Sequence, residues 1–387
     1  MFSIKKYKII GLDGLPILSN FYQGTGITKY IISFVNKLFE VDKENLYYIF
    51  LRMFKKNFFN LKKIKEYYSK YESVSVYPIF IPDKIQEILW NMNLASRIYR
   101  NIDLYISTCY FTPKFKKTFV FSFIYDITPL NSPAISLEYR KYFQKLISTT
   151  IKRSNFFLTI SEYTKKTIMD KFNIPATQIE VLYPILGEIF EPQPRNKIEH
   201  LIKKYSINSK YILYVGIRSK NKNIVSAIKA FGLLVKKYNI PHKFVLVGRN
   251  DSSLIDKEIY EFCRENDIQE KVIILGYVPD TELAILYSGA ELFVFPSLYE
   301  GFGMPLIEAM ACGVPIVASN TSSIPEVVQD AGLLFNPFEI EEISDKMFLL
   351  LNDDELRKKI ILKGLERAKF FRGNDSINKF IRIVKNL

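Results

Sequence analysis

The sequence holds 387 residues, 48% hydrophobic, 24% charged and 15% aromatic, enough chain to bury the cores of two ordinary domains, which excludes a disordered protein or a disulfide-stapled miniature. Three cysteines stand singly and only two histidines occur, so neither a disulfide framework nor a Cys/His metal cluster can be assembled, and a reducing compartment is expected. The formal net charge is +14, of which +12 falls on residues 1–190, predicting an anionic partner for that half: nucleic acid, a membrane surface or an acidic substrate.

In chain order, the first eleven residues lack a long apolar core ending in a small-residue cleavage site and read as a buried strand, so a cytoplasmic location is expected. Apolar runs at 8–13, 47–51, 104–106 and 119–125 predict strands separated by helix-period segments. Between them, residues 54–71 contain one acid among six lysines. At about 100° per residue, Phe54, Phe58, Leu61 and Tyr68 share one face while Lys56, Lys63 and Lys70 share another. Such a helix packs on a core or lies on an anionic membrane surface.

Pro184, Pro192 and Pro194 bracket a linker, after which runs at 211–216, 244–248, 272–276 and 292–295 repeat the alternation, each ending at Gly or Pro. Continuous runs of four to six apolar residues are the mark of parallel strands covered on both faces. The expected fold is therefore α/β, two doubly wound Rossmann-like domains facing a cleft, with an N-terminal domain over 1–190 and a C-terminal domain over 191–369. A basic amphipathic tail from about 370 to 387 could join either domain. No run of about 18 to 20 apolar residues occurs, so no membrane-spanning helix is expected.

The stretch Phe295–Asn320 carries the most chemistry. A strand ends at Phe295, a Gly-rich turn follows, and Pro305 suits the first turn of a helix. Gly301 and Gly303 let backbone N–H groups approach a ligand, and the helix start adds unpaired donors and partial positive charge, a combination that fits a diphosphate. Glu300 precedes that helix and Glu308 lies about one turn inside it. They suit separate hydroxyl-binding tasks, since a carboxylate can accept two hydrogen bonds from a vicinal diol. The plain alternative is a glycine-rich loop that merely turns the chain.

These residues resemble the E-x7-E motif of glycosyltransferase family four, the retaining nucleotide-sugar transferases of GT-B fold, in the form Glu300-Gly301-Phe302-Gly303-Met304-Pro305-Leu306-Ile307-Glu308. The resemblance continues in Ala309–Pro315 and Ser323-Ile324-Pro325-Glu326-Val327. Upstream it includes Tyr214-Val215-Gly216, Lys222-Asn223, Gly276-Tyr277-Val278, Gly24-Thr25-Gly26-Ile27, Tyr125-Asp126-Ile127-Thr128-Pro129 and Ser161–Lys165. Through Ser319–Val327 it is closest to mannosyltransferases of surface-glycan assembly.

The resemblance implies that Glu300 holds donor-sugar hydroxyls, Glu308 the ribose diol, and Gly301, Phe302, Gly303 and Met304 offer backbone donors to the sugar and diphosphate. Gly216 and Val278 fall in further donor-site motifs. Lys222 matches a phosphate-binding lysine, with Arg218 as the second cation and Lys220 competing for that role. Gly24 and Gly26 match a glycine loop near donor and acceptor. Asp126 follows Tyr125 where many members have His-Asp, so it either orients the acceptor hydroxyl or caps a turn. Ser161 suits a helix N-cap.

The implied reaction moves a hexose, mannose being the first choice, from a nucleoside diphosphate sugar to a lipid-linked or polysaccharide acceptor with retention. Lys222, Arg218 and the helix terminus would stabilise the leaving diphosphate. No D-x-D sequence is present, so no metal or other cofactor is expected. The expected partners are the nucleotide sugar, a glycan or glycolipid acceptor and an anionic membrane surface, the enzyme being peripheral at the inner face of the cell membrane. Nucleic acid is not expected, because no reading motif for it occurs. Two other readings are a non-catalytic nucleotide-sugar or polyanion binding protein, and a glycoside hydrolase. Hydrolases of the retaining kind need carboxyls about 5–5.5 Å apart, which the Glu300–Glu308 spacing serves poorly.

Overall fold

The computed structural model describes residues 7–20, 26–53, 58–92, 94–99, 101–131, 135–250 and 253–387. The chain divides into two compact units, one built from residues up to Ile185 together with Asn374–Leu387, the other from Leu186–Gly373.

The first unit is centred on a seven-stranded sheet: β1 (Ile9–Asp13), β2 (Leu46–Arg52), β3 (Val74–Ile79), β4 (Leu104–Ser107), β5 (Phe119–Ile124), β6 (Phe156–Thr159) and β7 (Ile179–Val181). The spatial order is β3-β2-β1-β4-β5-β6-β7, and every pairing is parallel. Covering helices on both faces explain why β1 and β4 are buried at every residue. The order reverses between β1 and β4, the type of position where doubly wound sheets open a crevice at their C-terminal strand ends. Strand β3 departs from the run pattern: Val74, Val76 and Pro78 alternate with exposed Ser75 and Tyr77. It is an edge strand, the one place in a sheet where Pro78 can forgo its ladder donor.

The tail forms a helix over Asp375–Lys385 that packs on this first unit. The Phe380 ring meets Phe34 edge-on at 5.6 Å, and Ser376 Oγ donates to the Tyr183 carbonyl at 2.8 Å. Its apolar residues Ile377, Phe380 and Val384 are buried, as the amphipathic spacing requires. The basic segment at 54–71 contributes a helix over Phe58–Tyr68, while residues 54–57 lie outside the described ones. Ile64 and Tyr68 are buried, Tyr68 lying 5.9 Å from the Phe39 ring, whereas Lys62, Lys63 and Lys65 are exposed. Ile64 and Tyr68 of this helix are thus spent on the unit's own core.

The second unit holds a six-stranded parallel sheet of β8 (Tyr211–Val215), β9 (Lys243–Val247), β10 (Val272–Leu275), β11 (Leu292–Phe295), β12 (Ile316–Ser319) and β13 (Leu333–Phe335). Its order is β10-β9-β8-β11-β12-β13, with the reversal between β8 and β11. Side chains of the helix Ile224–Tyr238, among them Ile224, Ile228 and Phe231, pack with Ile212, Leu246 and Val294 in one hydrophobic core. Gly216 and Gly248, which follow β8 and β9, approach so closely that a Cβ on Gly248 would sit 2.1 Å from the Gly216 carbonyl oxygen. That contact aligns the two loops that lead out of the sheet. Among the described residues no helix is long and apolar enough to cross a membrane.

Candidate functional site

The second unit gathers the predicted residues at the C-terminal ends of β8 and β11, the reversal point of its sheet. The loop after β8 carries Gly216, Arg218, Lys220 and Lys222, with a single 3-10 turn over Lys220–Lys222. The loop after β11 carries Glu300 to Gly303 and runs into the helix Met304–Ala311, which contains Glu308. Gly303 stands at the N-cap with φ +100°, a left-handed conformation that glycine adopts without a Cβ penalty. A Cβ there would also meet Leu306 Cδ1 at 2.8 Å. Pro305 occupies the first turn, where its missing N–H costs nothing.

The two loops are stitched together. The Leu298 N–H donates to the Asn221 carbonyl at 2.9 Å, and Asn221 Nδ2 donates to the Tyr299 carbonyl at 2.9 Å. Lys222 Nζ then reaches Glu300 Oε1 at 2.5 Å, with side chains 25% and 11% exposed. The ammonium also lies 5.9 Å from the Phe295 ring centroid. Ser322 Oγ accepts the Glu300 N–H at 2.8 Å, while Ser323 Oγ is within hydrogen-bond distance of the carbonyls of Glu300 and Phe302 at 3.0 and 3.1 Å. The glycine-rich loop is therefore held in shape from behind by the segment after β12.

Glu308 is 4% exposed, and Tyr287 Oη donates to its Oε2 at 3.1 Å. Burial first and the Glu308 carboxylate second push the Tyr287 phenol well above its ordinary range, so it remains a donor at any physiological pH. The Phe302 ring is buried 5.5 Å from that of Phe371, and Val278 is also buried, so a ligand could meet Phe302 only through its main chain. Met304 is half-buried.

Arg218, expected as a second phosphate cation, is engaged within the protein. It is 5% exposed, and its Nε and Nη2 clamp Asp256 at 2.7 and 3.3 Å while Nη1 donates to the Gly248 carbonyl at 2.6 Å. Its charge is neutralised by a carboxylate 38 residues away, which no local spacing reveals. Lys220, the competing candidate, is exposed and has no ion pair among the described residues. Reading the sequence overlooked Asn221, Asp256, Tyr287, Ser322 and Ser323. Only Ser322 and Ser323, which fall in the quoted motif Ser319–Val327, carried any signal.

In the first unit, Gly24 lies outside the described residues, and Gly26, itself exposed, opens the helix Gly26–Val41. Asp126 follows β5 and caps a turn: its Oδ1 accepts the Thr128 N–H at 3.1 Å, and Tyr110 Oη donates to its carbonyl at 3.0 Å. Tyr125, in the place of the usual histidine, is buried with its hydroxyl on the Thr108 carbonyl at 2.7 Å. Ser161 is an N-cap, its Oγ accepting the Thr164 N–H at 3.0 Å. Among the described residues no group of three or more His, Cys, Asp or Glu side chains could hold a metal ion.

Residues 197–367 match the family described as glycosyl transferases group 1. The chain is similar to O-antigen chain mannosyltransferase B of Escherichia coli, 33% identical over 64% of this chain and 65% of that protein. It is also similar to O-antigen chain mannosyltransferase RfbU of Salmonella typhimurium, 30% identical over 67% of this chain and 63% of the other. Across the first curated relatives the chain spans between 32% and 65% of their lengths. In fold it matches Anabaena Alr3699/HepE, whose crystal structure was determined in complex with UDP-glucose, at a TM-score of 0.73 and 16% identity, covering 98% of this chain and 100% of that one. The lipopolysaccharide-biosynthesis glycosyltransferase WaaG matches at 0.67 and 13% identity over 93% and 95%. The two-sheet architecture is the GT-B fold.

Proposed function

Since residues 197–367 match the family of group 1 glycosyl transferases, we propose that the protein is a retaining hexosyltransferase of surface-glycan biosynthesis, with mannose the sugar moved from a nucleoside diphosphate donor. The observation that carries this reading is the Lys222–Glu300 pair at 2.5 Å, set in the loops that precede the helix Met304–Ala311. A cation, a carboxylate and a helix start, drawn from two loops at one sheet reversal, make a place for a diphosphate with a hydroxyl-rich group attached. The mannosyltransferase relatives support the choice of sugar and a glycan or lipid-linked acceptor.

In the proposed reaction the bond between the anomeric carbon and the phosphate oxygen breaks, and the acceptor oxygen bonds to that carbon on the same face. The acceptor's proton goes to the departing phosphate oxygen, so no protein nucleophile is needed. Lys222 neutralises the charge that grows on the diphosphate, Lys220 serves as the second cation in place of the engaged Arg218, and the N–H groups at the start of the helix Met304–Ala311 add to the same end. Glu300 takes donor-sugar hydroxyls, and Glu308, oriented by Tyr287, takes the ribose diol. We assign the chemistry to these groups without a metal ion. Attachment to an anionic membrane would be electrostatic, through the basic excess of residues 1–190 and lysines such as Lys62, Lys63 and Lys65.

The test is transfer from GDP-mannose, UDP-glucose and ADP-glucose to lipid-linked glycan acceptors, with and without EDTA, the anomeric configuration of the product being read by NMR. Retention with activity untouched by EDTA is expected. An inverted product sinks the mechanism, loss of activity in EDTA sinks metal independence, and absence of transfer with tight diphosphate binding favours a binding module.

A further inference from the structure

The first unit carries a concentration of positive charge of its own. Where β5 begins and the helix Leu137–Arg153 ends, a hollow of about 300 Å³ is lined by Lys114, Lys116, Lys117, Thr118, Lys152 and Arg153 among its residues, and by no Asp or Glu. Five cations around one concavity repel one another, so the arrangement is costly unless an anion occupies it.

Part of this charge has a local explanation. Lys152 and Arg153 lie in the last turn of a helix, where cations complement the negative end of its dipole. Arg153 forms a fixed wall: Nη1 donates to the Thr112 carbonyl at 2.8 Å and Nη2 to Asn91 Oδ1 at 2.6 Å, and Glu87 is the acid that bears on it. The three lysines of the 114–117 loop have no such account. Lys114, Lys116 and Lys117 are exposed, and among the described residues neither they nor Lys152 form an ion pair. Three lysines are brought opposite a helix end by tertiary structure alone, since they precede it by more than thirty residues.

Every strand of this sheet runs parallel, so the hollow lies at the N-terminal strand edge while Asp126 follows the C-terminal end of β5. At about 3.3 Å per residue the seven steps from Phe119 to Asp126 separate the two edges by roughly 20 Å. The hollow is therefore distinct from the strand ends that an acceptor would use.

We propose that this hollow is a phosphate-binding site, taking either the headgroup of an anionic phospholipid or a soluble phosphate. Lysine ammonium groups bind phosphate as point charges, the Arg153 guanidinium supplies planar donors, and a volume of this size admits a phosphate with its ester substituent.

The experiment compares full-length wild type with a triple variant, Lys116→Ser, Lys117→Ser and Lys152→Ser. A control of equal charge change carries Lys197→Ser, Lys203→Ser and Lys236→Ser, exposed lysines outside residues 1–190. The probes are inorganic phosphate by calorimetry and sedimentation with phosphatidylglycerol or phosphatidylcholine vesicles. Lys222→Ala, which leaves the hollow intact, separates this binding from the donor site. The hollow variant should lose at least about tenfold in phosphate affinity, the effect of one or more charge-assisted contacts. Loss of vesicle binding in the hollow variant alone identifies a lipid headgroup as the source. Loss of free-phosphate binding without vesicle binding identifies a soluble one. If the hollow variant and the control lose equally, or neither loses, the proposal is overturned. All three substituted side chains are exposed, so an unchanged melting temperature is expected and verifies that the variants fold.

Discussion

Replacing Lys222 by alanine removes an ammonium that sits 2.5 Å from Glu300 Oε1, in a pair whose side chains are 25% and 11% exposed. If this group binds the donor diphosphate, its loss forfeits one charge-assisted bond of about 1.5–3 kcal/mol, or roughly 10- to 150-fold in dissociation constant. The pair makes a second, less obvious prediction. An incoming diphosphate must compete with Glu300 for the ammonium, so Glu300→Gln should tighten binding of the free diphosphate while depressing transfer. A partly exposed ion pair contributes about 0.5–1 kcal/mol, which corresponds to roughly two- to fivefold tighter binding. Calorimetric titration of UDP, GDP and ADP into wild type and both variants at low salt measures both effects. Lys222→Ala binding the preferred diphosphate within twofold of wild type would refute the phosphate role. Glu300→Gln weakening it as much as Lys222→Ala would mean that the pair is a strut and not a competition.

Arg218→Ala should act mainly on stability, because it strips Asp256 of a guanidinium that is 5% exposed; a loss of about 3 kcal/mol and a clear fall in melting temperature are expected, and an unaltered melting temperature with weakened diphosphate binding would restore Arg218 to the site. Tyr287→Phe removes the donor to buried Glu308, so KM for the donor should rise by a few-fold, about 1 kcal/mol, with kcat less affected. Gly303→Ala forces a Cβ into a left-handed backbone with Leu306 Cδ1 at 2.8 Å and should cost about 1–3 kcal/mol by chemical denaturation, with a near-neutral result ruling out the strain. Glu291, hydrogen-bonded by His242 and then by Lys210 against the opposing effect of burial, has its carboxyl lowered from 4.5 to about 2. Its contribution, on the order of 1–2 kcal/mol after solvent screening, is fully present above pH 4.5 and is lost as the pH falls toward 2. Glu291→Gln should therefore flatten the acid limb of a melting-temperature profile, and an unchanged limb would show that other groups set it.

Much of this fold is written locally. Runs such as Tyr211-Ile212-Leu213-Tyr214-Val215 identify buried parallel strands because a strand covered on both faces has no polar side to show. Strand β3 escaped that pattern, since an edge strand half open to solvent alternates, and Pro78 argues against a strand until the sheet order is known. The amphipathic period over 58–68 was legible as well, but whether its apolar side met lipid or protein depended on Phe39, nearly thirty residues earlier in the chain.

The site divides the same way. By itself the sequence determined the glycine-rich turn, the proline-opened helix, the two glutamates and the lysine before the helix Ile224–Tyr238, because each is a short-range relation between residue type and backbone conformation. Tertiary structure decided which charges face each other: Lys222 with Glu300 across 78 residues, Arg218 with Asp256 across 38, Tyr287 beneath Glu308, and the last helix packed on the first unit. Coulomb and hydrogen-bond energies fall off within a few ångströms, and only the order of the strands brings such distant residues that close.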